Sequence, residues 1–168
     1  MIAVLSDTHR RDGHGLSGRA REAVREARSV VHAGDFTTPA TFESFHDIAC
    51  QFDAVHGNRD DAELCDRLPA RRTVEPEGVR ITLVHGHEHG ETSLELLGRA
   101  EEADVVVFGH SHRPELLDTG ERLLLNPGSH ADPRGNPAAH AELTATREGV
   151  LARLLADDGT EIDAATVE

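Results

Sequence analysis

Short apolar runs in this chain end repeatedly in side chains of the types that bind metal ions. The runs stop at SDTH, HAGD, HGN, LVHGH and GHSH, where the ligand-type residues are Asp7, His9, Asp35, Asn58, His85, His110 and His112. Each apolar run predicts a buried strand. In layered α/β proteins, ligands collect beyond the carboxyl ends of the strands. We therefore expect these distant side chains to meet at one edge of the fold.

The donor types favour borderline divalent ions. Two carboxylates, one amide and four imidazoles, without thiolates, suit manganese, iron, zinc or nickel. Taken alone, Asp7 is typical of an Asx turn, and Gly34-Asp35 and Gly57-Asn58 are ordinary turn dipeptides. Five separate strand ends that each offer a suitable donor are not explained by turns. The whole set therefore predicts a centre for two divalent metal ions.

The order of the predicted elements indicates an α/β layered protein. Strands are predicted at 1–5, 29–32 and 52–55, and they alternate with helices at 16–28 and 39–49. A hairpin at 73–76 and 79–84, a helix at 93–103 and strands at 104–108, 115–118, 122–125, 139–144 and 150–155 follow. We expect a single domain over residues 1–156 and a frayed acidic tail at 157–168.

Charge and hydropathy exclude several classes of partner. The net charge is −14, with 17 arginines and no lysine, so the surface repels nucleic-acid polymers. The apolar runs are too short to cross a bilayer, and Asp7 interrupts the apolar start where a secretory signal would continue. A cytoplasmic protein without a membrane partner is expected. The acid excess motivates a halophilic source as a hypothesis, with codon bias toward arginine as the alternative.

The order D-x-H, G-D, G-N, H-G-H, G-H-x-H over residues 1–155 resembles the calcineurin-like metallophosphoesterase superfamily, and the short length is similar to its small prokaryotic phosphodiesterase branch. The resemblance implies a four-layer α-β-β-α sandwich with two mixed sheets and flanking helices. It implies one ion held by Asp7, His9, Asp35 and His112, and a second held by Asp35, Asn58, His85 and His110. Asp35 would bridge the ions, manganese being the first expectation, and a metal-bridging hydroxide would attack a phosphate diester.

The sequence departs from the superfamily pattern at Arg59, where many members have a histidine that protonates the leaving group. An arginine pKa above about 12 prevents this, but the planar guanidinium can clamp a phosphate oxygen. A surface contact between Arg59 and Asp60 is the alternative. We predict Asp35, Asn58 and Arg59 as catalytic residues.

The predicted substrate contacts are Arg59, His87 and Ser129 of the NPGS turn. Arginines 59, 113 and 134 are expected at the rim of a pocket for a small phosphate ester. The missing proton could come from His87, His89 or His130.

Three other interpretations stay open. The segment from His85 to His89 suggests a β-lactamase-like hydrolase, although this class leaves SDTH, HAGD and HGN unexplained. A eukaryotic retromer subunit resembles the superfamily and uses the fold as a binding platform, so a noncatalytic scaffold is an alternative. A phosphomonoesterase is another. Small domains of this type often pair, so a homodimer is possible.

Overall fold

The computed structural model describes residues 1–168, which form eleven strands, four α-helices and one short 3-10 turn. The strands are β1 (Ile2–Leu5), β2 (Ser29–His32), β3 (Phe52–Ala54), β4 (Arg71–Val74), β5 (Ile81–Val84), β6 (Val105–Val107), β7 (Pro114–Asp118), β8 (Leu123–Pro127), β9 (Ala139–Thr146), β10 (Gly149–Ala156) and β11 (Glu161–Val167). The helices are α1 (Gly18–Glu26), α2 (Pro39–His46), α3 (Ala62–Arg67) and α4 (Glu91–Ala100), and the 3-10 turn is Pro76–Gly78.

The strands form two mixed sheets. The first has the order β11-β10-β9-β1-β2-β3, in which β1, β2 and β3 are parallel and β9, β10 and β11 are antiparallel to their neighbours. The second has the order β4-β5-β6-β8-β7, with β5, β6 and β8 parallel and an antiparallel strand at each edge. Parallel strands in both sheets place several carboxyl ends side by side, as the ligand pattern requires.

The core divides according to the alternation of side chains along each strand. In β1, Ile2 and Val4 join a cluster of 18 buried residues from both sheets, whereas Ala3 and Leu5 face α1 and α2. Leu124 of β8 faces α4, in a third cluster, while its neighbours Leu123 and Leu125 face the other sheet. The molecule therefore has helices outside two stacked sheets, which confirms the predicted four-layer sandwich.

The helices are short, and none is long and apolar enough to cross a membrane. Helices α1, α2 and α4 lie where the hydrophobic spacing predicts helices, with ends that differ by a few residues. Helix α3 was not predicted. It begins after Asp61, whose carboxylate accepts a hydrogen bond of 3.1 Å from the Leu64 backbone N–H, and this cap stabilises a helix of only six residues.

The prediction of a frayed tail at 157–168 is wrong. Strand β11 pairs antiparallel with β10, and Val167 is buried between the sheets. Asp157 anchors the start of α1, because its carbonyl accepts from the Arg19 N–H at 2.8 Å and its carboxylate accepts from the Ser17 hydroxyl at 2.8 Å. An edge strand is held mainly by backbone hydrogen bonds, so its acidic composition conceals it in the sequence.

Candidate metal centre

All seven predicted ligands lie just beyond the carboxyl ends of β1, β2, β3, β5 and β6. Backbone hydrogen bonds tie these loops together, since the Asp7 N–H donates to the Gly34 carbonyl and the His9 N–H to the Asp35 carbonyl, both at 3.0 Å. The second sheet joins the first through the His110 N–H, which donates to the Asp7 carboxylate at 3.0 Å. The topology therefore brings both sheets to one shared site.

An inner group of five ligands is buried or nearly so, and it comprises Asp7, His9, Asp35, His85 and His112. Asp35 Oδ2 lies 3.2 Å from Nε2 of both His9 and His85. Asp7 Oδ1 lies 3.4 Å from His112 Nε2 and 3.8 Å from His9 Nε2. Two carboxylates thus lie among three imidazole nitrogens, and Asp35 approaches one histidine of each predicted ligand set, while its bridging role stays a prediction.

An outer group is exposed at the mouth of the site, and it comprises Asn58, Arg59, His87 and His110. His110 Nδ1 lies 3.2 Å from Asn58 Oδ1. The rings of His87 and His110 have centroids 6.1 Å apart. The Arg59 N–H donates to Asp35 Oδ1 at 2.7 Å, which holds this loop against the inner group.

The inner side chains fit divalent ions. Nε2 of His9, His85 and His112 is buried and has no hydrogen-bond partner. His85 donates through Nδ1 to the Ala33 carbonyl at 2.8 Å, and His112 Nδ1 contacts the Asp132 carbonyl. Such contacts leave the Nε2 lone pair free for a metal. Two ligand atoms that bind the same ion at right angles to each other lie about 3 Å apart. The carboxylate oxygens and imidazole nitrogens of the inner group have similar separations, from 3.2 to 3.8 Å.

The fit extends to two overlapping triads of potential ligands. One is Asp7, His9 and His112, and the other is Asp7, Asp35 and His85. The predicted first set contains the first triad. The second triad differs from the predicted second set, because Asp7 approaches His85 to 4.0 Å while Asn58 and His110 stand further out. The binding of ions by all seven residues stays a prediction.

The charges inside the group are strongly coupled. Burial lowers the pKa of His9, but the close negative charges of Asp35 and Asp7 outweigh it and raise this pKa from 6.5 to about 9. Burial raises the pKa of Asp35, yet contacts with His85 and His9 hold it well below its usual value. Without a metal ion, protonated histidine therefore supplies the positive charge that these carboxylates need.

The backbone at the site is unusual. Asp7, His9, Asp35, His110 and His112 all have a positive φ, between 45° and 72°. Such a conformation is uncommon for non-glycine residues, and its clustering at one place is typical of functional sites.

Two glycines allow the loops at the site to approach closely. A Cβ on Gly57 would lie 2.2 Å from Asp35 Oδ1, and one on Gly109 would lie 1.9 Å from Ser6 Oγ. A side chain at either position would push apart the loops that carry the ligands.

Asp60 is a supporting residue that the sequence analysis did not identify. Its carboxylate accepts from the backbone N–H groups of Asp35 at 3.0 Å, Gly57 at 2.8 Å and Thr37 at 2.7 Å. It thereby fastens the loop after β2 to the loop after β3. Its place two residues after Asn58 was the only available signal. These bonds also occupy Asp60, and no ion pair joins it to Arg59, so the alternative of an Arg59–Asp60 contact is wrong.

The predicted phosphate contact of Ser129 is wrong. Ser129 is fully buried, and its hydroxyl donates to the Asp7 carbonyl at 2.7 Å while accepting from the Asp132 N–H at 2.8 Å. The NPGS turn instead supports the site from behind. Asn126 Nδ2 donates to the Gly109 carbonyl at 2.9 Å, which holds the loop that carries His110 and His112.

The expectation for His130 fails for a similar reason. His130 is buried, its Nε2 lies 2.8 Å from the His14 carbonyl, and burial lowers its pKa to about 4. It therefore cannot protonate a leaving group at the mouth. Arg134 is exposed and pairs with Asp132 at 3.1 Å, and its place at the rim of the pocket stays a prediction. His87 and Arg59 remain exposed beside the ligands, and their substrate contacts stay predictions.

Residues 1–149 match the sequence model of the calcineurin-like phosphoesterase superfamily domain. The chain belongs to this superfamily. It is 35% identical over 138 residues to a probable metallophosphoesterase of Methanothermobacter thermautotrophicus, with 80% of this chain and 79% of that protein covered. The phosphodiesterase YfcE of Escherichia coli K12 is 35% identical over 108 residues, which are 60% of this chain and 56% of YfcE.

Solved structures of other proteins share the architecture. The phosphoesterase YfcE from E. coli has a TM-score of 0.70 at 26% identity, with 99% of each chain covered. A single mutant of Vps29 from Entamoeba histolytica has a TM-score of 0.79 at 19% identity, again with 99% of each covered, and it supports the fold alone. The predicted superfamily is thus confirmed, and the β-lactamase-like alternative is wrong. Metallophosphoesterases use divalent metal ions, and the names of these relatives support a hydrolase.

Proposed function

We propose that the protein is a phosphodiesterase that uses two divalent metal ions, with manganese as the first candidate. One observation carries the proposal: three imidazole Nε2 atoms are buried without a hydrogen-bond partner and face two carboxylates. Leaving such polar atoms unpaired is costly unless a ligand satisfies them. The names of the phosphodiesterase relatives supply the reaction class.

The inner group would hold the ions, together with Asn58 and His110 from the outer group. When bound, two such ions activate a water as the nucleophile and stabilise the negative charge that develops on the phosphate oxygens. Asp7 and Asp35 supply two negative charges to the site, so the pocket keeps a net positive charge. An anionic ester can therefore bind locally despite the net charge of −14.

Arg59 and His87 are positioned to contact the substrate. The Arg59 backbone is bonded to Asp35 and its exposed side chain has no carboxylate partner, so the guanidinium is free to clamp a phosphate oxygen. His87 lines a cavity of about 160 Å³ together with His85 and Arg71.

The superfamily's usual histidine acid is replaced by Arg59, which keeps its proton. We expect esters with weakly basic leaving groups, such as aryl diesters, to react faster than alkyl esters. Rates across a series of diesters with graded leaving-group pKa test this. A flat series with chemistry rate-limiting would contradict it, and an Arg59→His variant should reduce the slope if an acid is what the site lacks.

The central experiment is elemental analysis of the purified protein, combined with hydrolysis of bis(p-nitrophenyl) phosphate and p-nitrophenyl phosphate in added manganese. The proposal expects about two bound ions per chain and faster hydrolysis of the diester. Faster hydrolysis of the monoester would favour a phosphomonoesterase. Bound metal without hydrolysis of either ester would favour the noncatalytic scaffold.

The composition supports a separate proposal, that the protein works in high salt. Acidic residues number 31 against 17 arginines, and their mutual repulsion is screened over only about 3 Å at 1 M salt. Urea unfolding in millimolar and molar sodium chloride tests this. Equal stability in both would favour codon bias as the reason for the missing lysine.

A further inference from the structure

The arginines of this chain fall into two classes. Ten of the 17 lie within 4.0 Å of a carboxylate oxygen, as expected on a surface with excess acid. The others have no ion-pair partner, and they are Arg10, Arg11, Arg21, Arg25, Arg59, Arg113 and Arg147. Four of these seven directly follow a predicted ligand or stand two residues after it, namely Arg10, Arg11, Arg59 and Arg113.

Three of these four side chains make no hydrogen bond or ion pair, and two of the three, Arg11 and Arg113, stand on neighbouring loops. Arg10 is tethered through Nε to the Asp12 carbonyl at 3.3 Å, and Arg59 lies beside Asp35 at the proposed phosphate position. Arg11 and Arg113 are exposed, and neither side chain makes a hydrogen bond or an ion pair. Their loops adjoin, because the rings of His9 and His112 stack with centroids 4.8 Å apart.

The acids nearby compensate these charges only in part. Asp60 is occupied by three backbone N–H groups, and Asp132 by Arg134. Asp12 and Glu88 are exposed acids in the loops of the site without a side-chain partner. The chain pairs ten of its 17 arginines but leaves four without an ion pair beside the predicted ligands, and two of these, Arg11 and Arg113, keep positive charge available for an anion from outside.

We infer that Arg11 and Arg113 form a subsite for a second anionic group of the substrate, next to the phosphate that is hydrolysed. The inference rests on the proposed function, which places the hydrolysed phosphate between the inner group and Arg59. The substrate class is then a phosphodiester that carries a further phosphate or carboxylate. Guanidinium groups suit this role because they bind such oxygens through two parallel N–H donors.

Calorimetric binding to the manganese-loaded protein tests the subsite directly. Thymidine 5′-monophosphate and thymidine 3′,5′-bisphosphate differ by one phosphate, and we expect the bisphosphate to bind about tenfold more tightly. The double variant Arg11→Gln with Arg113→Gln should lose this preference and keep its affinity for the monophosphate. Both side chains are exposed and make no hydrogen bond or ion pair, so the variant is expected to fold.

Arg147→Gln is the matched control. Arg147 is exposed and unpaired, and it lies in the turn after β9, at the opposite end of the sheet from the ligands. The control should retain the full preference for the bisphosphate. Equal binding of the two nucleotides by the native protein, or an unchanged preference in the double variant, would overturn the inference.

A second readout separates this inference from the proposed function. The p-nitrophenyl 5′-esters of the same two nucleotides should both be hydrolysed, the 3′-phosphorylated one with the higher kcat/KM. If neither is hydrolysed while the bisphosphate still binds more tightly, the subsite stands and the proposed function fails. If both are hydrolysed at equal kcat/KM and bind equally, the proposed function stands and the subsite does not exist.

Discussion

The inner and outer groups of the site use similar residue types in opposite environments. Asp7 and Asp35 are almost completely buried, and backbone bonds position them, whereas Asn58 and His110 are exposed and contact each other through their side chains. Burial fixes the inner donors in one arrangement and makes their charges interdependent. We therefore expect the inner group to govern retention of metal and the outer group to govern adaptation to the substrate.

The largest effect should come from changing the shared carboxylate of the inner group. Asp35→Asn removes one of only two ligand charges, so we expect loss of bound metal and at least a roughly hundredfold fall in kcat/KM. Elemental analysis and diester hydrolysis measure both. Asp66→Asn, an exposed aspartate of α3, serves as the control. Full metal content in the Asp35 variant would show that burial does not decide retention.

A smaller effect is expected in the outer group. Asn58→Ala removes an exposed donor, so one ion should bind at least roughly tenfold more weakly while the other stays. Manganese titration followed by electron paramagnetic resonance separates the two ions. Simultaneous loss of both would mean that the two groups act as one unit, and the distinction between them would be lost.

The contact that supports Asp7 from behind the inner group should contribute to the free energy of unfolding. Ser129→Ala leaves the buried carbonyl of Asp7 without its donor, at a cost of about 1–3 kcal/mol in the free energy of unfolding. Urea unfolding measures this. Ser93→Ala is a suitable control, because its hydroxyl bonds only at the partly exposed start of α4. Equal stability of the two variants would argue that Ser129 does not hold Asp7.

The smallest predicted effect concerns pH in the metal-free protein. The folded protein raises the pKa of His9 from 6.5 to about 9. The stabilisation of the fold by protonated His9 is therefore complete below pH 6.5 and is lost as the pH rises to about 9. The apo protein should therefore lose stability across this range. Manganese affinity should rise over the same range, since the ion displaces that proton.

Unfolding of the apo and manganese-loaded proteins between pH 6.5 and 9 is the measurement. A pH-independent apo protein would show that His9 is not charged by the inner carboxylates.

The side chains that meet at the site could be predicted because their signals are local. An apolar run that ends in Asp7 or His85 predicts a buried strand and places a possible metal donor at its end. The layered fold follows from the order of such runs. Helix α3 and β11 had weaker local signals: α3 depends on the cap from Asp61, and β11 on backbone pairing with β10. The acidic tail thus appeared unstructured in sequence although it closes one edge of a sheet.

The sequence alone determined the superfamily, the layer order and which donor-type side chains meet at the site, since these depend on residue type and on spacing along the chain. Only the tertiary structure decided which donors are buried and that Ser129 faces Asp7 instead of a substrate. It also decided that Asp60 joins two loops, and that Arg134 forms an ion pair while Arg113 does not. Burial and pairing depend on contacts between residues far apart in the chain, and local spacing does not record them.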